Sequence, residues 1–210
     1  MPARKTAGAR YKPERSLILF VAESPPQSHD RYFYFENVKG HDWLWIALMK
    51  AVYPSEFGAT KDERRRKRMW LSKFQESGFQ LIDAVKEPLR GTHRRRVLRI
   101  KASAPTLISE IQAISPDQIV LIKKSVHDAL CQLLKEAGLP VVNQEPLPFP
   151  AAGQQTRFQK AFRRLSDSGK LSLCSYRTPW VARPITEACD SASAATQLHF
   201  LRAPRRSFLQ

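Results

Sequence analysis

Cysteine is scarce: Cys131, Cys174 and Cys189 are the whole supply in 210 residues. Three thiols, odd in number and far apart, argue against a disulfide framework and against a four-thiolate zinc or iron–sulfur site. No run of about 18 apolar residues exists, so no segment reads as a membrane-spanning helix. The longest apolar run near the start, Leu17–Ala22, is closed by Glu23 and is too short for the apolar region of a secretory signal. No basic amphipathic helix with a strong aromatic face points to a membrane surface. Internal repeats are absent. These absences leave a reduced cytoplasm as the expected compartment, with nucleoid association in a bacterium. A monomer without metal or cofactor is expected.

Positive charge is what the chain has in excess. Lys and Arg number 35 against 19 Asp and Glu, a formal charge of +16. With 42% hydrophobic and 10% aromatic residues, the chain can build a core, which argues against wholesale disorder. A soluble domain this basic is expected to meet a polyanion, because neutralising phosphates releases counterions. The charge is clustered in Arg64-Arg65-Arg66-Lys67-Arg68, in His93-Arg94-Arg95-Arg96, in Arg163-Arg164 and around Arg202, Arg205 and Arg206. Runs of arginine carry charge without positional selectivity, so Arg64, Arg65, Arg66, Arg94 and Arg95 read as phosphate contacts on nucleic acid.

Residues 1–15 are polar and basic and are expected as a loose arm. Leu17–Ala22 has the length and continuity of a buried strand, ended by Pro25-Pro26. His41–Tyr53 and Asp62–Ser77 space their apolar residues as helices, stopped by Pro54 and Gly78. Phe79–Val85 reads as a second strand, Leu107–Ile114 as a helix, and Gln118–Ile122 as a third strand. Ser125–Ala137 follows as a helix, Leu139–Val142 as a fourth strand, and Gln155–Leu165 as a last helix after a loop with Pro146, Pro148 and Pro150. Strands alternating with helices predict a parallel α/β sheet with helices on both faces. The boundaries are 16–168 for this domain and 169–210 for a weakly ordered tail, where Ser, Ala and Thr rise.

Ligands in such sheets sit outside the carboxyl ends of the strands, so three loops should converge there. The first holds Glu23-Ser24-Pro25-Pro26, followed by the aromatic cluster Arg31–Phe35. The second follows Asp83 and contains Pro88. The third runs Pro146-Leu147-Pro148-Phe149-Pro150-Ala151-Ala152-Gly153-Gln154-Gln155-Thr156-Arg157. Glu23 after a buried strand is either a reacting carboxylate or a capping acid. The aromatics are either base-stacking platforms or core. Phe149 is either a wedge into a duplex or a loop anchor.

This order of loops resembles the uracil-DNA glycosylase superfamily over roughly residues 16–166. In that family an acidic Gly-Glu-Ala-Pro-Gly type loop follows the first strand. A base-reading polar residue lies on the second strand, and a His-Pro-Ser-Pro type loop enters the minor groove. The resemblance implies a three-layer α/β/α sandwich around a four-stranded parallel sheet. It also implies hydrolysis of the N-glycosidic bond of a flipped base in DNA, without cofactor. Glu23 would then take the acidic position of the first loop as the catalytic carboxylate that holds water or stabilises the sugar cation, and Asp83, the second catalytic candidate, would stand where many members read the base edge. Ser24, Pro25 and a ring from Tyr32, Phe33 or Tyr34 would hold the base. Phe149 and Arg157 would meet DNA. The third loop lacks the family's histidine, and Gln154, Gln155 or Arg157 are the residues placed to replace it.

Overall fold

Ile18–Ala22, Phe79–Asp83 and Gln118–Leu121 are short runs rich in Leu, Ile, Val and Phe, which suit strands buried on both faces. They are β1, β2 and β3 of one parallel sheet in the order β2-β1-β3, with Phe20 opposite both Leu81 and Val120. The computed structural model describes residues 2–38 and 40–173; residues 174–210, most of the expected tail, lie outside the described residues. The helices among those described are α1 (Pro2–Arg10), α2 (Trp43–Val52), α3 (Lys61–Arg65), α4 (Lys67–Glu76), α5 (His93–Ile114), α6 (Lys124–Glu136) and α7 (Gln155–Asp167).

Side chains alternate across the sheet and build a core on each face. Phe20, Leu81, Val120 and Ile122 join residues of α2, α4 and α7 in one core; Leu19, Val21, Ile82, Ile119 and Leu121 join α5 and α6 in the other. The α/β class is the one expected from the alternation of strands and helices. None of the described helices is long and apolar enough to cross a membrane.

The sheet is three-stranded, not four-stranded. Leu139–Val142 forms no strand; Val141 makes one isolated bridge to Ile119 of β3, and Leu147 makes one to Ile122 just past the end of β3. Pro140 has no N–H to give to a ladder. Between the two bridges a side chain replaces the strand: the buried Asn143 amide donates to the Leu121 carbonyl at 3.1 Å and accepts from its N–H at 2.8 Å. On the outer side of β2, the Tyr34 hydroxyl engages Leu81 in the same way, accepting from its N–H at 2.7 Å and donating to its carbonyl at 3.0 Å. Asn143→Leu would strip two buried backbone groups of partners. An expected loss of about 3 kcal/mol in stability follows, measurable by urea unfolding.

Other boundaries shift for identifiable reasons. The expected loose arm is helical over Pro2–Arg10, because buried Tyr11 stacks on Tyr34 at 6.2 Å and donates to Glu36 at 2.7 Å. The expected helix over 62–77 divides at Arg66, where α3 closes and Lys67 turns inward. α5 begins at His93 and runs through Pro105, because Ile100, Ala104, Leu107 and Ile111 form one buried stripe on either side of that proline. Residues 169–173, assigned to the tail, partly pack on the domain: Leu171 is buried, and Gln118 bonds the backbone of Lys170 and Ser172. Gly78 has φ +71, and a Cβ there would lie 2.5 Å from the Leu17 side chain, so the turn into β2 requires glycine.

Candidate active site

The carboxyl ends of β1 and β2 open onto a cavity of about 370 Å³. From the β1 side come Glu23, Ser24 and Pro25; Asp83 comes from the end of β2; Tyr32 and Phe33 come from the aromatic loop, and Phe149 from the proline-rich loop. Seven residues singled out from sequence thus meet on one cavity wall. Gln154, Arg157, Arg64, Arg65, Arg66, Arg94 and Arg95 are not part of that wall. Gln154 precedes α7 and accepts from Arg157 at 3.3 Å. Arg64 folds back onto the Ala59 carbonyl at 2.6 Å, while Arg65, Arg66, Arg94 and Arg95 are exposed.

The two carboxyl groups of the site are in opposite states. Glu23 is 5% exposed, and both of its oxygens are engaged. Oε2 receives Arg96 and Lys123, each at 2.5 Å, and Oε1 receives the buried Ser125 hydroxyl at 2.5 Å. Burial alone would raise its pKa. The hydrogen bonds from Lys123 and Ser125 and the charges of Lys123 and Arg96 outweigh burial and hold it below the usual carboxylate range. Glu23 also faces the first turn of α6, where a negative charge is favoured. Among the described residues its hydrogen bonds come from side chains and none from a backbone N–H, so it is not the capping acid weighed from sequence.

Asp83 is 8% exposed, and among the described residues no donor or cation bonds its carboxyl. Burial pushes its pKa up to about 7, only partly opposed by the more distant charges of Lys86 and Arg4. A carboxyl that titrates near neutrality at a cavity wall is poised to take or give a proton.

The walls are fixed from outside. Arg4 of α1 donates to the carbonyls of Pro26 and Ser28, both at 2.7 Å, and its guanidinium lies 5.9 Å from the centre of the Tyr32 ring. The Ser24 hydroxyl accepts from the Leu89 N–H at 3.3 Å. Phe33 and Tyr34 are buried and in edge contact at 4.9 Å, so they are core, whereas Tyr32 is only half-buried. Lys123 lies over the Phe149 ring at 5.4 Å, which makes Phe149 a half-buried loop anchor in this conformation.

Lys123 and Ser125 are absent from the three loops that the sequence places at the site, because they lie in the loop after β3 and the first turn of α6. The available signal was Lys123-Lys124-Ser125 at a strand end. Lys123 also adopts φ +87, a strained position for a lysine that only surrounding contacts maintain. Arg96 was visible only as one of a basic run. His41, Asp42 and Trp43 also line the cavity. No family model matches the chain, and no curated protein matches it.

Proposed function

We propose that this chain is a DNA glycosylase-like protein of the uracil-DNA glycosylase kind, in which the cavity takes an extruded base and its N-glycosidic bond is hydrolysed. The observation that carries the reading is Asp83: a buried carboxyl titrating near pH 7 beside aromatic walls, at the carboxyl end of a parallel sheet. A three-layer α/β/α sandwich is the arrangement this reading assigns to the fold. The protein would work in the cytoplasm or on the nucleoid.

In the mechanism, ionised Asp83 accepts a proton from water, whose oxygen attacks the anomeric carbon. The bond to the base breaks with its electron pair left on the base. Two cations around one Glu23 carboxylate leave one positive charge in excess, and Arg96 of this cluster lines the cavity. That charge stabilises the departing base anion and takes the part of the missing histidine. Glu23 is then a positioning residue, and Tyr32 supplies the ring against which the base stacks.

The test is a cleavage assay on oligonucleotides carrying uracil, hypoxanthine or xanthine, single- and double-stranded, with Asp83→Asn alongside. Cleavage that disappears in Asp83→Asn supports the reading. A second reading, a binding module that recognises DNA without cutting it, is favoured by the full engagement of Glu23. Salt-sensitive binding with no cleavage of any substrate would select it.

Exposed Arg94 and Arg95 give a separate prediction. Each change to Ala should weaken single-strand binding and lower the slope of log K against log salt by about 0.7. An unchanged slope would remove these residues from the DNA path.

A further inference from the structure

The cavity wall carries a ring pair that the hydrolysis mechanism does not use. Trp43, the first residue of α2, is 41% exposed. Its ring stacks on His41, with centroids 4.8 Å apart and planes 11° apart. Both residues line the cavity. Tryptophan has much apolar area to lose to water, so leaving it open at a cavity needs a reason.

The pair is held rigidly by the residue between its members. Asp42 Oδ1 caps α2 by accepting from the Trp45 N–H at 3.2 Å, and Oδ2 pairs with Lys67 Nζ at 2.8 Å. Lys67 is only 3% exposed; it also donates to the Tyr32 carbonyl at 3.3 Å and lies over the Trp45 ring at 5.2 Å. One buried ion pair thus ties the stacked rings to the wall that carries Tyr32. Exposed Arg31 lines the same cavity, and exposed Arg65, Arg66 and Arg68 flank Lys67 in sequence.

We propose that His41 and Trp43 form a stacking platform for the base adjacent to the one in the cavity, so that the ligand is unpaired, single-stranded DNA. This rests on the cavity reading and names its substrate class. Every base offers a π-face, so a fixed indole accepts a neighbour of any identity. Pre-ordering of the rings lowers the entropy lost on binding. The neighbouring base can reach Trp43 only by leaving its own partner, which disfavours a duplex. Exposed Arg31 on the same cavity fits a phosphate of such a strand. An apolar peptide side chain would leave that cation unused.

The experiment is fluorescence anisotropy of the full chain with a labelled single-stranded thymidine oligonucleotide and with a version in which alternate bases are abasic. Trp43→Leu should raise Kd about tenfold on the intact strand. Trp43→Phe should recover most of the affinity. Because no cation is removed, the salt slope should stay as in the wild type. On the abasic strand Trp43→Leu and wild type should bind alike. Exposure of Trp43 means the variant is expected to fold, which thermal melting checks. If Trp43→Leu binds the intact strand as tightly as wild type does, the platform is overturned while the cavity reading stands. If the wild type binds no single strand at all, the platform is likewise overturned. If Trp43→Leu weakens binding but wild type cleaves no substrate, the platform survives and the hydrolase reading fails.

Discussion

Asp83→Asn is expected to abolish base excision and to make the protein more stable at neutral and alkaline pH. The loss of rate should be about 100-fold or more, the range for removing a general base. The wild-type rate should rise with pH through a midpoint near 7, where the Asp83 carboxyl ionises, and level off above it. The Asn variant should show no such midpoint. A wild-type rate that falls through the same region would mean that the protonated carboxyl is the active form. That result would overturn the role of base.

The stability side has the opposite sign from a salt-bridged acid. Unfolded, this carboxyl releases its proton near 3.8; folded, it keeps it to about 7. Across that interval the unfolded state has fewer protons bound, so folding stability falls as pH rises. The penalty is complete above the folded value and is on the order of 4 kcal/mol. Urea unfolding should therefore show Asp83→Asn gaining on wild type between about pH 4 and about pH 8, less whatever the new amide loses by burial. Equal stabilities across that range would mean that the Asp83 carboxyl has an ordinary pKa and no poise. A residue that lowers stability while carrying activity is the pattern expected of a site group.

Glu23→Gln is expected to do the reverse, destabilising by about 3 kcal/mol because Arg96 and Lys123 lose the charge between them. These cations keep some contact with solvent, which places the effect at the lower end for a broken buried pair. Glu23 is held below its usual pKa, so its contribution is present above 4.5, its ordinary value, and is lost as pH falls through the lower folded value. Cleavage should drop as well, because the cations move. The residual activity of Glu23→Gln should still show the midpoint near 7, since that belongs to Asp83. A shifted or vanished midpoint would return the proton-transfer role to Glu23.

The strands are legible because each is a short run rich in Leu, Ile, Val and Phe, continuous in β1 and interrupted by Gln80 in β2. Glu23, Asp83, Tyr32 and Phe149 could be placed near one another because parallel strands deliver their carboxyl ends to one edge. Lys123, Ser125 and Arg96 could not be read as partners of Glu23. They lie 100, 102 and 73 residues away from it, and only the assembled sheet brings them together. The helix of the arm is not legible in its polar local composition, because its order comes from a distant tyrosine, Tyr34. The helix over Leu107–Ile114 extends back to His93 through Pro105, because a buried stripe from Ile100 to Ile111 continues on both sides of that proline. The fourth strand failed on chemistry that pattern cannot see, a side-chain amide fitting a ladder position.

That amide and the Tyr34 hydroxyl have a consequence for behaviour at high concentration. A narrow parallel sheet has two borders for every strand it places inside, and each border is a row of backbone groups that a foreign chain could extend. Here Leu81 on one border and Leu121 on the other are both occupied by side chains of the same molecule. A side chain offers no continuing row of donors and acceptors, so it ends pairing where a further strand would renew it. At these two positions a further strand could pair only by displacing the molecule's own side chains. Asn143 and Tyr34 are the positions where losing one polar group would reopen a border to self-association.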